Sequence, residues 1–249
     1  KQVKVINCKL HGAFNGLRAL INVDGLYVYN TEIFNIDQDG MYIQQVNNID
    51  VSHSYIHNVN TDWKPPSTPE SEAPGDGIQF YLCNNWHVHH NIIDRSQTGN
   101  KFCFISNNPS QDQGVFEYNV IRGPLNPGYS IYLGDGKNLI VRYNDIAGPS
   151  QSPLWSHSSG LKIYYNIFRN ITGPLLVSGS AEIYNNLFYH VFEPTIEGGK
   201  ITVINNIIDQ GAAGKSYFKV QDLTERNNLF VWGLGTRNSL LGDPKYRDP

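Results

Sequence analysis

Charge is scarce in this chain. Asp, Glu, Lys and Arg make up 16% of its 249 residues and nearly cancel, to a formal net charge of −3. The basic residues are scattered, so neither nucleic acid nor an anionic membrane surface is expected as a partner, and any polyanion must be met by a local cluster. Methionine occurs once, and Glu, Lys, Arg and Ala are too few for a helix-rich protein; fifteen tyrosines and abundant asparagine point to strands instead. Cys8, Cys83 and Cys103 are odd in number and lack CxxC spacing, which excludes a disulfide framework or a zinc knuckle and leaves them as small buried apolar residues. No apolar run reaches the roughly 18 residues of a membrane span. The first residues carry no signal-peptide pattern, and the chain starts inside a strand-like run, KQVKVINC, as an expressed fragment without its export signal would.

What is present is a repeat. Segments such as VYNTEIFN, VSHSYIHN, VHHNIIDR, FEYNVIRG, IYYNIFRN and VINNIIDQ align on one polar column: Cys8, Thr31, Ser54, Asn91, Asn119, Asn144, Asn166, Asn186, Asn206 and Asn228. Two residues further lies an apolar column, from Leu10 and Ile33 through Ile93 and Ile146 to Phe230. The polar column advances by 23, 23, 37, 28, 25, 22, 20, 20 and 22 residues. Each repeat holds short alternating runs broken by Gly, Asn or Pro and no helical stretch, so it is built of strands. Stacked amides can bond from coil to coil while Ile and Phe fill a continuous core. The expected fold is all-β, a parallel β-helix of about ten coils occupying residues 1–249 as one domain.

The Asn-x-Ile/Phe pattern at this period resembles right-handed parallel β-helix proteins, the pectate-lyase-like superfamily of polysaccharide-processing enzymes. The likeness spans essentially the whole chain. It implies secretion, or a periplasmic or cell-surface location, and it leaves the chemistry open, because the fold carries lyases, hydrolases, epimerases, esterases and adhesins. The terminal GDPKYRDP resembles a segment after which such helices usually continue, and open end coils need covers, so both ends read as trimmed.

Functional residues of a solenoid gather where coils are lengthened. Two insertions stand out, at about 61–77 (TDWKPPSTPESEAPGDG) and 107–113 (NNPSQDQ). Between and after them, aligning QDGMYIQ, GDGIQFY, GNKFCFI, PGYSIYL and SPLWSHS assigns faces by alternation. Met41, Ile78, Phe102, Tyr129 and Leu154 are expected inside, as are Ile43, Phe80, Phe104 and Ile131. Three outward columns follow: Gly40, Gly77, Lys101, Gly128 and Pro153; Tyr42, Gln79, Cys103, Ser130 and Trp155; Gln44, Tyr81, Ile105, Tyr132 and His157. Lys101 is the one cation of its column, in a recess made by Gly77 and Gly128.

These residues permit β-elimination on a uronic-acid polymer, with a lysine base, a tyrosine acid and Gln79 on the carboxylate. The set resembles β-helical alginate lyases that use a Lys/Tyr pair without metal, which implies Lys101 as base and Tyr132 or Tyr81 as acid, with an acidic polysaccharide as partner of a monomeric enzyme. Tyr42, Gln44, Trp155 and His157 would line the substrate, and Arg95 is free to reach a carboxylate. Another lyase branch pairs Lys with Arg and calcium; Arg122 suits the arginine, but no acidic cluster accompanies the lysine strand, so no cofactor is expected. A solvated lysine and stacked tyrosines are the bland alternatives.

His87 and His89 share a face in WHVHHN, about 6.6 Å apart, as two metal ligands can. The column through His89 is Tyr29, Ser52, His89, Glu117, Arg142 and Tyr164, which lacks a third ligand and favours a hydrogen-bonded ladder; no metal is expected. Asp94 falls between His57 and Arg122, a stack of alternating charge. Three other functions compete: a glycoside hydrolase using Asp39 and Asp76, a non-catalytic glycan-binding or adhesin module, and a C5 epimerase, which begins with the same proton abstraction.

Overall fold

The computed structural model describes residues 1–21, 23–59, 75–95, 102–109, 113–123, 129–148, 152–191, 195–210, 218–231 and 240–241. Of the two expected insertions, residues 61–74 and 110–112 lie outside this set. The described elements are strands, with no helix among them.

One turn shows the plan. Ile78–Tyr81, Asn84–His89 and Ile92–Asp94 follow one another. Each pairs in parallel with its counterpart one turn earlier: Met41–Gln44, Asn47–Ser52 and Tyr55–Val59. Repetition gives a solenoid with three outer faces, here called front (strands like Ile78–Tyr81), side (Asn84–His89) and back (Ile92–Asp94). On the side face eight strands stack in unbroken order from Val3–Ile6 to Leu175–Tyr184, and Ile196–Ile204 and Phe218–Arg226 extend the stack. Some eight turns plus these long strands differ little from the ten coils expected.

The core forms because alternation puts every second side chain inside. Ile33, Ile56, Ile93, Ile121, Ile146 and Phe168 stack along the back strands, and Val28, Val51, Val88, Phe116, Val141 and Ile163 along the side strands, all without solvent exposure. Each such side chain contributes about 2 kcal/mol of burial. Cys83 and Cys103 are buried free thiols as expected, whereas Cys8 is partly exposed.

Between side and back faces runs the asparagine ladder. Asn91, Asn119, Asn144, Asn166, Asn186, Asn206 and Asn228 are all at most 2% exposed. Asn144 shows the wiring: its Oδ1 accepts from the N–H and Nδ2 of Asn119 at 2.9 and 3.1 Å, and its Nδ2 donates to Asn166 Oδ1, Phe116 O and Arg142 O at 2.9, 2.9 and 2.8 Å. An amide brought inside this way leaves neither donor nor acceptor orphaned. The residue before each rung turns the chain with positive φ: His90 (55°), Tyr118 (53°), Tyr143 (55°), Tyr165 (55°), then Asn185, Asn205 and Asn227. Asparagine accepts that conformation readily and tyrosine does not. Stacking offsets the strain, since Tyr118, Tyr143 and Tyr165 lie ring over ring at 4.8 and 5.2 Å.

Asn144→Ala leaves the Asn119 N–H on the preceding coil without its acceptor and removes the donations to Phe116 O and Asn166 Oδ1, so a loss of about 3 kcal/mol is expected, read by urea denaturation against Tyr143→Phe, which should stay within about 0.5 kcal/mol of the parent. An Asn144→Ala midpoint equal to the parent's would refute the ladder's role.

Candidate functional site

The front face carries the residues singled out above: Tyr42 pairs with Gln79 and Ile105 with Tyr132 as expected, but the strands of Ile105 and Tyr132 are shifted together by two residues against those before and after. Strand pairing runs Arg18, Tyr42, Gln79, Ile105, Tyr132, Trp155, Leu176, Glu197 and Lys219 along one outward column. Tyr132 therefore sits beside Trp155 rather than His157, and Gln79 beside Ile105 rather than Cys103. A slip of two preserves alternation, which is why the pattern alone could not detect it.

The corner before each front strand is where alternation fails, because the chain bends there. Cys103 and Ser130, expected outside, are fully buried, whereas Phe102 and Tyr129, expected inside, are partly exposed. Gly77 donates to Phe102 O and lies against Cys103. It is not a recess: an added Cβ would strike the Cys103 carbonyl and stand 2.9 Å from Ile93 Cγ2. Lys101 and Gly128 lie outside the described residues.

The emergent Phe102 and Tyr129 build an aromatic cluster with Tyr132, Trp155 and His157. Ring centroids are 5.3 Å apart for Phe102–Tyr129 and Phe102–Tyr132, 5.1 Å for Tyr129–Trp155 and Tyr132–Trp155, and 6.0 Å for Tyr132–His157. Burial, and secondarily the charge of Asp135, raises the Tyr132 pKa, which keeps its hydroxyl protonated. Beyond Trp155 the face hollows into a groove of about 620 Å³, lined by Tyr129, Trp155, Leu176, Glu197, Phe218 and Lys219 among others. In it Lys219 Nζ meets Glu197 Oε1 at 2.6 Å. At the other end of the column Arg18 lies over the Tyr42 ring, 5.7 Å from its centroid, and the Tyr42 hydroxyl donates to Gln44 Oε1 at 3.2 Å. Tyr81 is exposed but in register with Asn107, two coils or roughly 10 Å from Tyr132.

Two expected substrate contacts lie elsewhere. Arg95 is fully buried, not free at the surface: its Nη1 donates to Gly75 O and to Phe102 O, while among the described residues Nε and Nη2 find no partner. Burial pulls its pKa down against the charges of Asp76 and Asp39. Arg122 belongs to the back face, 3.1 Å from Asp94 in the expected charge stack, and cannot share a sugar with Tyr132. Asp39 and Asp76 are themselves buried: Asp39 Oδ1 accepts from the Asp76 N–H at 2.7 Å and Asp76 Oδ1 from the Phe102 N–H at 2.9 Å. These carboxylates tie front corners together as the asparagines tie the others.

The side face holds the histidines. The column Tyr29, Ser52, His89, Glu117, Arg142 and Tyr164 is as expected. Its neighbour was overlooked: Asp50 is in register with His87, and its Oδ2 lies 3.3 Å from His89 Nε2 and 3.9 Å from His87 Nδ1. A signal existed, because Asp50 precedes Ser54 by the same four residues that separate His87 from Asn91. Burial, then the charge of His87, lowers the His89 pKa. For Glu117 burial acts upward, but hydrogen bonds from Arg142 and His87 outweigh it and hold the carboxyl below its ordinary range.

Parallel strands, three to a turn, around an apolar core with an internal amide ladder define a parallel β-helix. A family model described as "Right handed beta helix region" matches residues 1–125 and 108–233, and the chain belongs to that family. No curated protein and no solved structure matches it. The family carries the fold, as the sequence led one to expect; the narrower likeness to alginate lyases is not confirmed by it.

Gly77→Ala should lower stability by about 2 kcal/mol through overpacking against Cys103 and Ile93, measured as a shift in urea midpoint; an unchanged midpoint would argue against this register.

Proposed function

We propose that this protein is a polysaccharide lyase that cleaves an acidic glycan such as alginate by β-elimination on its front face. The observation that carries the reading is the aromatic cluster of Phe102, Tyr129, Tyr132, Trp155 and His157 opening into a groove along the solenoid axis. Successive coils spaced about 4.8 Å apart offer a polymer repeated contacts along that axis. Partly exposed rings such as Trp155 suit the apolar faces of sugars, which present C–H groups to a π-surface.

In this reading Tyr132 is the acid. Its raised pKa keeps a proton available for the leaving glycosidic oxygen. Lys101 is the base that takes the C5 proton; it immediately precedes Phe102, whose ring lies on Tyr132. Gln79, two coils before Tyr132 in the same column, hydrogen-bonds a uronate carboxylate at a neighbouring subsite, and Arg18 and Lys219 offer cations toward the two ends of the column. The hydrolase alternative is less well served, because Asp39 and Asp76 are buried and already accept backbone N–H groups. A glycan-binding module would share the same cluster and groove, and the assay separates the two.

A panel of uronic-acid polymers should yield the ultraviolet chromophore of an unsaturated product on at least one member. Tyr132→Phe should then lower kcat by about a hundredfold or more, and Trp155→Ala should raise KM with kcat largely kept. Binding without any unsaturated product would sink the lyase reading in favour of the module. If elimination survives Lys101→Ala and vanishes in His157→Ala, the base is His157.

A further inference from the structure

The side-face histidines have a geometry that the front-face chemistry does not use. Three atoms converge there: Asp50 Oδ2, His87 Nδ1 and His89 Nε2 all lie within 4.8 Å of one another. Alternation along Asn84–His89 puts both imidazoles on one side of the strand, and they stack with centroids 4.0 Å apart at 27°. The parallel register supplies the carboxylate from the coil before.

The surroundings select tautomers. His87 Nε2 lies 2.8 Å from Glu117 Oε1, and the other Glu117 oxygen accepts from Arg142 Nε. A carboxylate that only accepts holds the His87 proton on Nε2 and leaves the Nδ1 lone pair facing Asp50. On the far side His89 Nδ1 is 2.8 Å from His90 Nδ1. One of those two nitrogens donates, and when it is His89 Nδ1, the Nε2 lone pair also faces Asp50. Lone pairs then meet a carboxylate oxygen from two directions, an arrangement that a cation bridges.

We propose that Asp50, His87 and His89 bind a divalent transition metal ion, zinc or a near neighbour, with Glu117 as the positioning residue behind His87. Two imidazoles and a carboxylate suit zinc, cobalt or nickel, whereas calcium and magnesium want an all-oxygen shell. The Glu117 contact is the outer carboxylate that metal-bound histidines commonly have. Three protein ligands leave a fourth position for water or a substrate oxygen. The ligands belong to the side face, so the site stands independently of elimination on the front face.

The test is titration of the metal-stripped chain with Zn²⁺ by calorimetry and with Co²⁺ by visible absorption. One equivalent should bind, with the intense d–d bands of a low-coordinate cobalt site. His89→Ala, and Asp50→Asn, which keeps shape and loses the anionic ligand, should each weaken binding at least about tenfold, while His11→Ala, on the back face, should leave it unchanged. Absence of stoichiometric binding, or binding that Asp50→Asn leaves intact, overturns the proposal; should His89→Ala fail to fold by circular dichroism, Asp50→Asn decides.

Discussion

From Asn91 to Asn228 each coil is bound to the next by a side-chain amide, set just after a left-handed residue that turns the chain. The Asn ladder satisfies the polar groups of a buried corner, and it does so only when neighbouring rungs sit directly above one another. Register along the side and back strands is thereby set from Asn91 to Asn228. With register set, the apolar columns stack into a core, and outward residues fall into columns whose members touch. The strain of Tyr118, Tyr143 and Tyr165 at positive φ belongs to this same device, as does the aromatic ridge that their stacking makes.

The front corners are tied differently. Asn15, Asp39 and Asp76 pass a side-chain acceptor to the next coil's backbone, and Gly16, Gly40 and Gly77 let backbones approach where a Cβ would collide. These ties place Phe102 over Asp76 and Cys103 over Gly77. The consequence for the surface is large: Phe102 and Tyr129 come out to join Tyr132 and Trp155, and Arg95 is drawn under the corner.

Because charge is scarce, the charged groups present tend to be stacked between coils. Arg122 with Asp94 and Lys219 with Glu197 are exposed pairs of little energetic weight. Glu117 differs, being held between His87 and Arg142 at 7% exposure, so it orients its neighbours. A core and ladder that hold the shape leave the outer faces free to vary, which is how one fold carries unrelated sites.

Periodicity alone determined the strand content, the solenoid, the back-face core column and the rungs from Asn91 to Asn228, since an inward amide and an apolar residue two positions on recur at a readable spacing. It also determined the side column from Tyr29 to Tyr164 and the stack of His57, Asp94 and Arg122, which count from the same rungs. The tertiary structure decided what alternation leaves degenerate. A two-residue slip keeps every side chain on its face, so only coil-to-coil pairing could seat Ile105 beside Gln79, through the contacts of Asp76, Gly77 and Cys103, and Tyr132 beside Trp155. Burial of Arg95 and the approach of Asp50 to two imidazoles likewise depend on which coil lies next to which, a relation between residues tens of positions apart in the chain.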